Sequence, residues 1–470
     1  MKTDDRGYRL YWDEERETLD PKARDRIILE RIQHQLHYVY EHLPFYRRKY
    51  DAAGFHPSQV RHLGDFTERV PVVTKQELVR DQAEHPPFGS YAGPFDETEI
   101  TRIHGSSGTS GAPTLYRVSK DDWERAADVH AMAQWAMGIR PDDILQVSFP
   151  FSLFFGGWGI NQGAERLGCT VFPLGVLPTE RQLDLMFRLG STVFTATPSY
   201  ALHMASVAEA QGIDLAAGPV KRLMIGGEPG GCVPGTKAAI QRLWGATTHD
   251  AGSTSEMYPF QTNVEEASSQ GMHCIIDEVF TEVVDRDDAN AALPYGEAGA
   301  IVYTHLWRRS QPMIRFWPGD ETVMHPGPTP LGRTYPMLPF GITGRLDDML
   351  VIRGANLYPS TVETALRSID DLGPEFEIVV DKNGALDELT VRVEPRGGWW
   401  DEVQALGEAS RRDRGAALTR EAAAQLKRVC GIRIEVELIP PGTLPETVFK
   451  AKRVQDRRPK AGAPAGDGRR

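Results

Sequence analysis

"STVFTATPSYALHMASVAEAQGIDLAAGPVKRLMIGG", residues 191–227, holds a short apolar run, a helical pattern and a second apolar run. "STVFTAT" reads as a strand, "PSYALHMASVAEAQG" as a helix and "VKRLMIGG" as a strand again. The same rhythm runs upstream. "WERAADVHAMAQWAMG" is helical, "DILQVSF" a strand, "WGINQGAERLG" a helix, "CTVFPL" a strand and "TERQLDLMFRLG" a helix. Strands alternating with helices of this length are the signature of βαβ units and a mostly parallel sheet. In such sheets ligands bind beyond the carboxyl ends of the strands. The turns "TATPSY" (195–200) and "IGGEPGG" (225–231) fall there.

Further upstream, "HGSSGTSGAPTLYRVS" (104–119) contains an unbroken run of small residues, Gly105 to Gly111. The flanks "EITRIH" and "TLYRVS" read as short strands, so the run is a tight strand–loop–strand rather than a tether. Glycine allows positive φ, and inward N–H groups together with the hydroxyls of Ser106, Ser107, Thr109 and Ser110 could cradle an anion. It is not a Walker loop: Ala112 and Pro113 follow the last glycine in place of Lys-Ser/Thr and a helix. Before it, residues 23–50 carry apolar residues at helical spacing from Ile27 to Leu43 and predict one amphipathic helix.

Downstream of about residue 270 the pattern turns to strands: "HCIIDEVFTEVVD", "GAIVYTHL" and "MIRFWPGDETV". "GRLDDMLVIRGANLYPSTVETALRSI" predicts a hairpin and then a helix. "FEIVVD", "ELTVRVEP", a helix over 415–429 and "IRIEVELIP" predict a small α+β unit. The expected fold is α/β, with a large N-terminal domain of mixed and parallel sheets with helices over 1–343. A small α+β C-terminal domain spans 344–457, and 458–470 is a disordered tail rich in Pro, Gly and Arg.

Composition narrows the class. The chain of 470 residues carries 53 basic and 65 acidic side chains, a net charge of −12, which argues against nucleic acid as a partner. Four cysteines without a CxxC pair suit a reducing, cytoplasmic compartment. The N-terminus lacks the apolar region of a signal peptide. The apolar stretch at 145–160 is too short to span a membrane and contains Gln146 and Pro150. Cys232, Cys274, His249 and His273 do not have the spacing of a tetrahedral set, so no zinc is expected.

Taken together, "SSGTSGAPT", "TPSYALHMA", "GGEP", "STSE", "IRFWPGD", "GRLDDMLVIRGANLYPSTVE" and "FKAKRVQDRR" resemble, in order, the motifs of the phenylacetate–CoA ligase branch of the adenylate-forming enzymes. The resemblance covers about residues 10–457. It implies activation of an aromatic carboxylic acid by ATP and Mg2+ to an acyl-adenylate, followed by transfer to coenzyme A. It implies that Ser106, Ser107, Gly108, Thr109, Ser110 and Gly111 hold the β- and γ-phosphates. Gly227, Glu228, Pro229, Ser253, Thr254 and Ser255 complete the nucleotide site, and Glu256 is the magnesium carboxylate. Asp320 accepts both ribose hydroxyls, Arg345 contacts phosphate and ribose, and Asp347 is the hinge. Lys450 is the catalytic lysine, preceded by Phe449 where relatives have glycine. Arg353, Gly354 and Ala355 belong to the hairpin on the acceptor side. Phe149, Phe151, Phe155, Trp158 and Tyr200 are expected around the acid.

Outside those motifs Glu256 would read as a surface carboxylate and Asp320 as part of a Pro-Gly-Asp turn. The chain also departs from its relatives. Where they place an aromatic residue against adenine, a few positions before the glutamate, it has Ala251 and Gly252, leaving open what holds the base. Arg308 and Arg309 are further candidates for CoA phosphate. Two alternatives stand beside CoA ligation: transfer of the acyl group to an amine, hydroxyl or carrier protein, and a nucleotide-binding protein that has lost catalysis. A homodimer is compatible with the sequence; a membrane partner is not expected.

Overall fold

The computed structural model describes residues 2–106, 114–252, 254–268, 271–346, 350–352, 355–383, 386–445 and 453–458. Within them, eight strands form the central sheet. Their order is Met337–Leu338, Met272–Cys274, Asn263–Glu265, Thr247–Gly252, Arg222–Gly226, Val193–Ala196, Ile144–Val147 and Thr170–Pro173. The strands from Thr170–Pro173 to Thr247–Gly252 run parallel, as the alternating pattern predicts. The other three continue the sheet antiparallel.

Both faces of this sheet are covered, which is why its central strands, Ile144–Val147, Val193–Ala196 and Arg222–Gly226, are largely apolar rather than alternating. Leu145, Val147, Val193 and Met224 belong to one core with helices Lys120–Ala136 and Gly156–Leu167. Their neighbours Phe194, Leu223 and Ile225 belong to another, with helices Thr179–Leu189, Pro198–Ala210 and Pro234–Trp244. The period of two along each strand separates the cores. Gly168 and Gly190 end two of the covering helices at φ of 88° and 68°, a conformation that side-chain-bearing residues rarely adopt.

A second, mostly antiparallel sheet runs Val73–Thr74, Phe316–Trp317, Ala298–His305, Asp320–Val323, Ile342–Arg345, with Val279–Val284 on the outer side of Ala298–His305. The flanks of the small-residue run form the expected antiparallel hairpin, Ile100–Gly105 with Leu115–Ser119. The single helix expected over 23–50 is instead two, Pro21–His42 and Pro44–Ala52. Leu43 lies between them in an extended conformation because the following proline disfavours the helical one. Ile28, Ile32, Leu36 and Val39 form the buried face of the first helix, whereas Ile27 is exposed.

The N-terminal segment is tied to the core through buried charges. Arg333 donates from Nε to Glu17 (2.6 Å) and from Nη1 to Glu266 (2.8 Å), and all three side chains are at most 1% exposed. Arg333 also reaches the Leu10 carbonyl.

The C-terminal unit has its own core of Ile378, Val380, Val391, Val393, Leu426 and their neighbours. Its sheet runs Glu435–Leu438, Leu386–Pro395, Leu372–Asn383, Val454–Asp456. Helix Glu408–Cys430 extends beyond the predicted 415–429, and helix Gly397–Gln404 precedes it. The two units touch where the Ser360 hydroxyl donates to the Thr343 carbonyl (2.7 Å) and where Arg242 meets Asp370 (2.9 Å). The tail from 459 and Asp347, expected as the hinge, lie outside the described residues. No helix among the described residues is long and apolar enough to cross a membrane.

Candidate active site

The carboxyl ends of the parallel strands open into a cavity of about 270 Å³. Three of them supply its floor: Phe149 follows Ile144–Val147, Gly226 to Pro229 end Arg222–Gly226, and Asp250 to Gly252 end Thr247–Gly252. The second sheet closes the side with Asp320, Ile342 and Arg345.

Of the residues expected from sequence, Ser106, Gly227, Glu228, Pro229, Thr254, Ser255, Glu256, Asp320, Arg345, Phe149 and Phe155 line this one cavity. Ser107, Gly108, Thr109, Ser110, Gly111, Ser253, Asp347, Arg353, Gly354 and Lys450 lie outside the described residues. Ala355 is seen as backbone, paired with Ile352 in a two-stranded hairpin.

Three expected pocket residues lie elsewhere. Gly156 and Ile160, four apart on helix Gly156–Leu167, face the cavity; Trp158, two residues from each, cannot share their face. Its ring lies against Phe151 (5.2 Å between centroids) and the Arg102 guanidinium (4.8 Å). Phe151 is held with it, outside the lining. Tyr200 is buried in the core on the other face of the sheet, with its hydroxyl 3.3 Å from Thr179 and its ring near His203. Arg308 cannot reach a bound phosphate: it is fully buried and donates to the Glu256 and Arg117 carbonyls. Arg309, next to it, is exposed and lies over the Tyr38 ring.

Part of the cavity lining is polar and charged. The Lys75 ammonium is 3.2 Å from Glu256 Oε1, and Glu256 is buried. That oxygen and Thr254 Oγ1 are without a hydrogen-bond partner among the described residues, so the ammonium is near enough to attract but out of line for a hydrogen bond. Asp320 and Arg345 are direct cross-strand partners, with Arg345 Nη1 3.4 Å from Asp320 Oδ1 and Nη2 donating to the Pro318 carbonyl. Glu228 accepts the Ser199 amide at the start of helix Pro198–Ala210, which fixes the "GGEP" turn against the next strand–helix junction.

Another part of the lining is apolar. Phe149, Phe154, Phe155, Ile160 and Phe260 supply it. Phe155 is stacked between His104 (4.1 Å) and Tyr258 (4.4 Å), which fixes its ring as part of a three-ring stack. Burial holds the His104 imidazole neutral, with its pKa down at about 4, and Nδ1 sits 3.0 Å from the Leu153 carbonyl.

Several lining residues escaped the sequence reading, among them Lys75, Asp250, Phe260, Met272 and Ile342. Lys75 arrives because Val73–Thr74 pairs in parallel with Phe316–Trp317, and Thr74 then caps the helix that Lys75 begins. Asp250, Met272 and Ile342 form the remaining side. Burial, and then the Glu265 carboxylate, push the Asp250 carboxyl up to about 7; Glu265 is itself paired with Lys237.

Residues 354–458 match the AMP-binding enzyme C-terminal domain family. The chain is 35% identical over 457 residues to a phenylacetate-coenzyme A ligase of Thermus thermophilus, covering 96% of this chain and 100% of that one. It is 33% identical to the phenylacetate-coenzyme A ligase of Escherichia coli, covering 92% and 95%. Among solved structures it resembles 2-hydroxyisobutyryl-CoA ligase in the postadenylation state, bound to 2-HIB-AMP: 42% identity, TM-score 0.90, 97% and 94% coverage. Against the same ligase with CoA in the thioesterification state, the TM-score is 0.71 at 43% identity, with 96% and 93% covered.

Proposed function

The chain belongs to the phenylacetate–CoA ligase family, and we propose that it joins an aromatic carboxylic acid to coenzyme A through an acyl-adenylate made from ATP. The observation that carries this reading is one cavity lined both by the charged groups Lys75, Glu256, Asp320 and Arg345 and by the phenylalanines Phe149, Phe154, Phe155 and Phe260. Two anions must meet in the first step, the acid's carboxylate and the α-phosphate of ATP, so cationic and N–H donors are needed where charge builds up.

Glu256 and the phosphates would hold Mg2+; a hard cation binds oxygen, keeps most of its waters and needs only one or two protein carboxylates. The metal, when bound, neutralises phosphate charge. Asp320 offers two acceptor oxygens to a ribose diol, and Arg345 beside it faces the phosphate. Phe149, Phe154, Phe155 and Phe260 take the body of the acid and keep water from the adenylate. The loop 106–111 and Lys450 are assigned to the triphosphate and to the attacking carboxylate by their match to the family motifs. The small domain then turns about Asp347 and brings the hairpin with Arg353, Gly354 and Ala355 to the adenylate for thiol attack. The higher TM-score against the postadenylation state supports an arrangement suited to the first step.

A second reading of the acid is favoured by the likeness to 2-hydroxyisobutyryl-CoA ligase: a short branched hydroxy acid. Exchange of labelled pyrophosphate into ATP over phenylacetate, benzoate, 2-hydroxyisobutyrate and acetate separates the two. The arylacetate is expected to give the highest kcat/KM. Exchange with 2-hydroxyisobutyrate alone would replace the aromatic acid by the short one, and silence with every acid would favour a protein that binds nucleotide without activating acids.

A further inference from the structure

We propose that the Met272 thioether is the surface on which the nucleotide base lies, in place of a ring at position 252. The inference rests on the reading of this cavity as a nucleotide site.

The two apolar regions of the cavity differ in kind. Phe149, Phe154, Phe155 and Phe260 present carbon only, which suits the body of an acid. Met272 and Ile342 present carbon beside hydrogen-bonding groups, the Asp250 carboxyl and the backbone of Gly226 to Glu228. A purine is a flat π system with a polar rim and needs both. Ile342 and Arg345 also lie on one short strand, which puts this region beside the Asp320–Arg345 pair expected to hold the ribose.

Met272 is 2% exposed and lies on the strand Met272–Cys274; Gly252 ends the strand Thr247–Gly252. A Cβ on Gly252 would lie 3.1 Å from both Cε and Sδ of Met272, and 3.6 Å from Cγ1 of Ile342. Met272 therefore already fills the volume over residue 252. A side chain at 252 would require the tip of this methionine to shift, so the thioether stands where a larger residue at 252 would press. The thioether is soft and polarisable, makes favourable contacts with aromatic rings, and its unbranched chain can follow a base as it enters.

The test is a reciprocal swap, read as the KM for ATP and the KM for the acid in pyrophosphate exchange. Met272→Ala is expected to raise the KM for ATP about tenfold while leaving kcat and the KM for the acid within about twofold. Met272→Leu, which keeps most of the apolar volume, should fall between. Gly252→Tyr alone should be impaired because the ring meets Met272. Gly252→Tyr combined with Met272→Ala should recover the KM for ATP to within about threefold of the parent, the ring now doing the work of the thioether. An unchanged KM for ATP in Met272→Ala would overturn the assignment. So would a joint rise of both KM values, the sign of a collapsed sheet edge, or a double variant no better than Gly252→Tyr. Calorimetric binding of ATP to the parent and the four variants gives this ranking without turnover. A parent protein silent in exchange would thus remove the ligase reading and still decide the role of Met272.

Discussion

Glu256→Gln is expected to lower adenylate formation by about a hundredfold or more, the loss that follows removal of one oriented charge from a water-poor site. Glutamine keeps the size and one oxygen of the side chain and removes only the negative charge. The carboxylate is buried, 3.2 Å from the Lys75 ammonium, with its backbone carbonyl held by Arg308. A neutral side chain there would leave Lys75 without its partner and the Mg2+–phosphate assembly without its protein anchor. The Mg2+ concentration needed for half-maximal exchange should rise with the loss of rate. Transfer to CoA from a supplied acyl-adenylate should stay within a few-fold of the parent, since no triphosphate is handled in that step. Parent-like exchange in Glu256→Gln would remove Glu256 from the nucleotide chemistry. Equal loss in both steps would make it a structural residue.

Arg333→Met should cost about 3–5 kcal/mol of folding stability, the range for leaving buried charge uncompensated. Arg333 sits between the Glu17 and Glu266 carboxylates at 2.6 and 2.8 Å, with none of the three side chains more than 1% exposed. Methionine fills a similar volume and cannot neutralise either acid. The pH dependence has a defined sign. Burial raises the Glu17 pKa even with Arg333 beside it, and losing the arginine raises it further. A carboxyl with a folded pKa above its unfolded value favours folding most when protonated and loses that contribution as pH rises through the folded pKa. The deficit of the variant should therefore be largest near pH 8 and shrink toward pH 5. Denaturant titrations across that range check it; a deficit below about 1 kcal/mol, or one independent of pH, would show that the triad is dispensable.

The parallel half of the sheet was legible because its causes are local. Val193 and Phe194, or Leu223 and Met224, are both apolar because both sheet faces are covered, and Thr197 caps the helix that Pro198 begins. The position of the cavity followed from the topology. Lys75 was not legible: a two-residue pairing with Phe316–Trp317 brings it in, and nothing near residue 75 encodes that distant strand. Trp158 and Arg308 show the other limit. Each belongs to a stretch of suitable composition, but helix phase turns Trp158 outward and the core takes up Arg308. The break at Leu43 was encoded by Pro44, and apolar spacing alone reads through it. Met272 carries no motif, and its place over Gly252 depends on the antiparallel strands that extend the sheet.

The most direct measurement is the product balance with purified protein, ATP, Mg2+ and phenylacetate, with and without CoA. With CoA, AMP, pyrophosphate and phenylacetyl-CoA should accumulate in equal amounts, and AMP release should be much slower when CoA is left out. AMP release that ignores CoA but responds to an amine, a hydroxyl compound or a carrier protein, or ADP formed in place of AMP, would contradict CoA ligation through an acyl-adenylate.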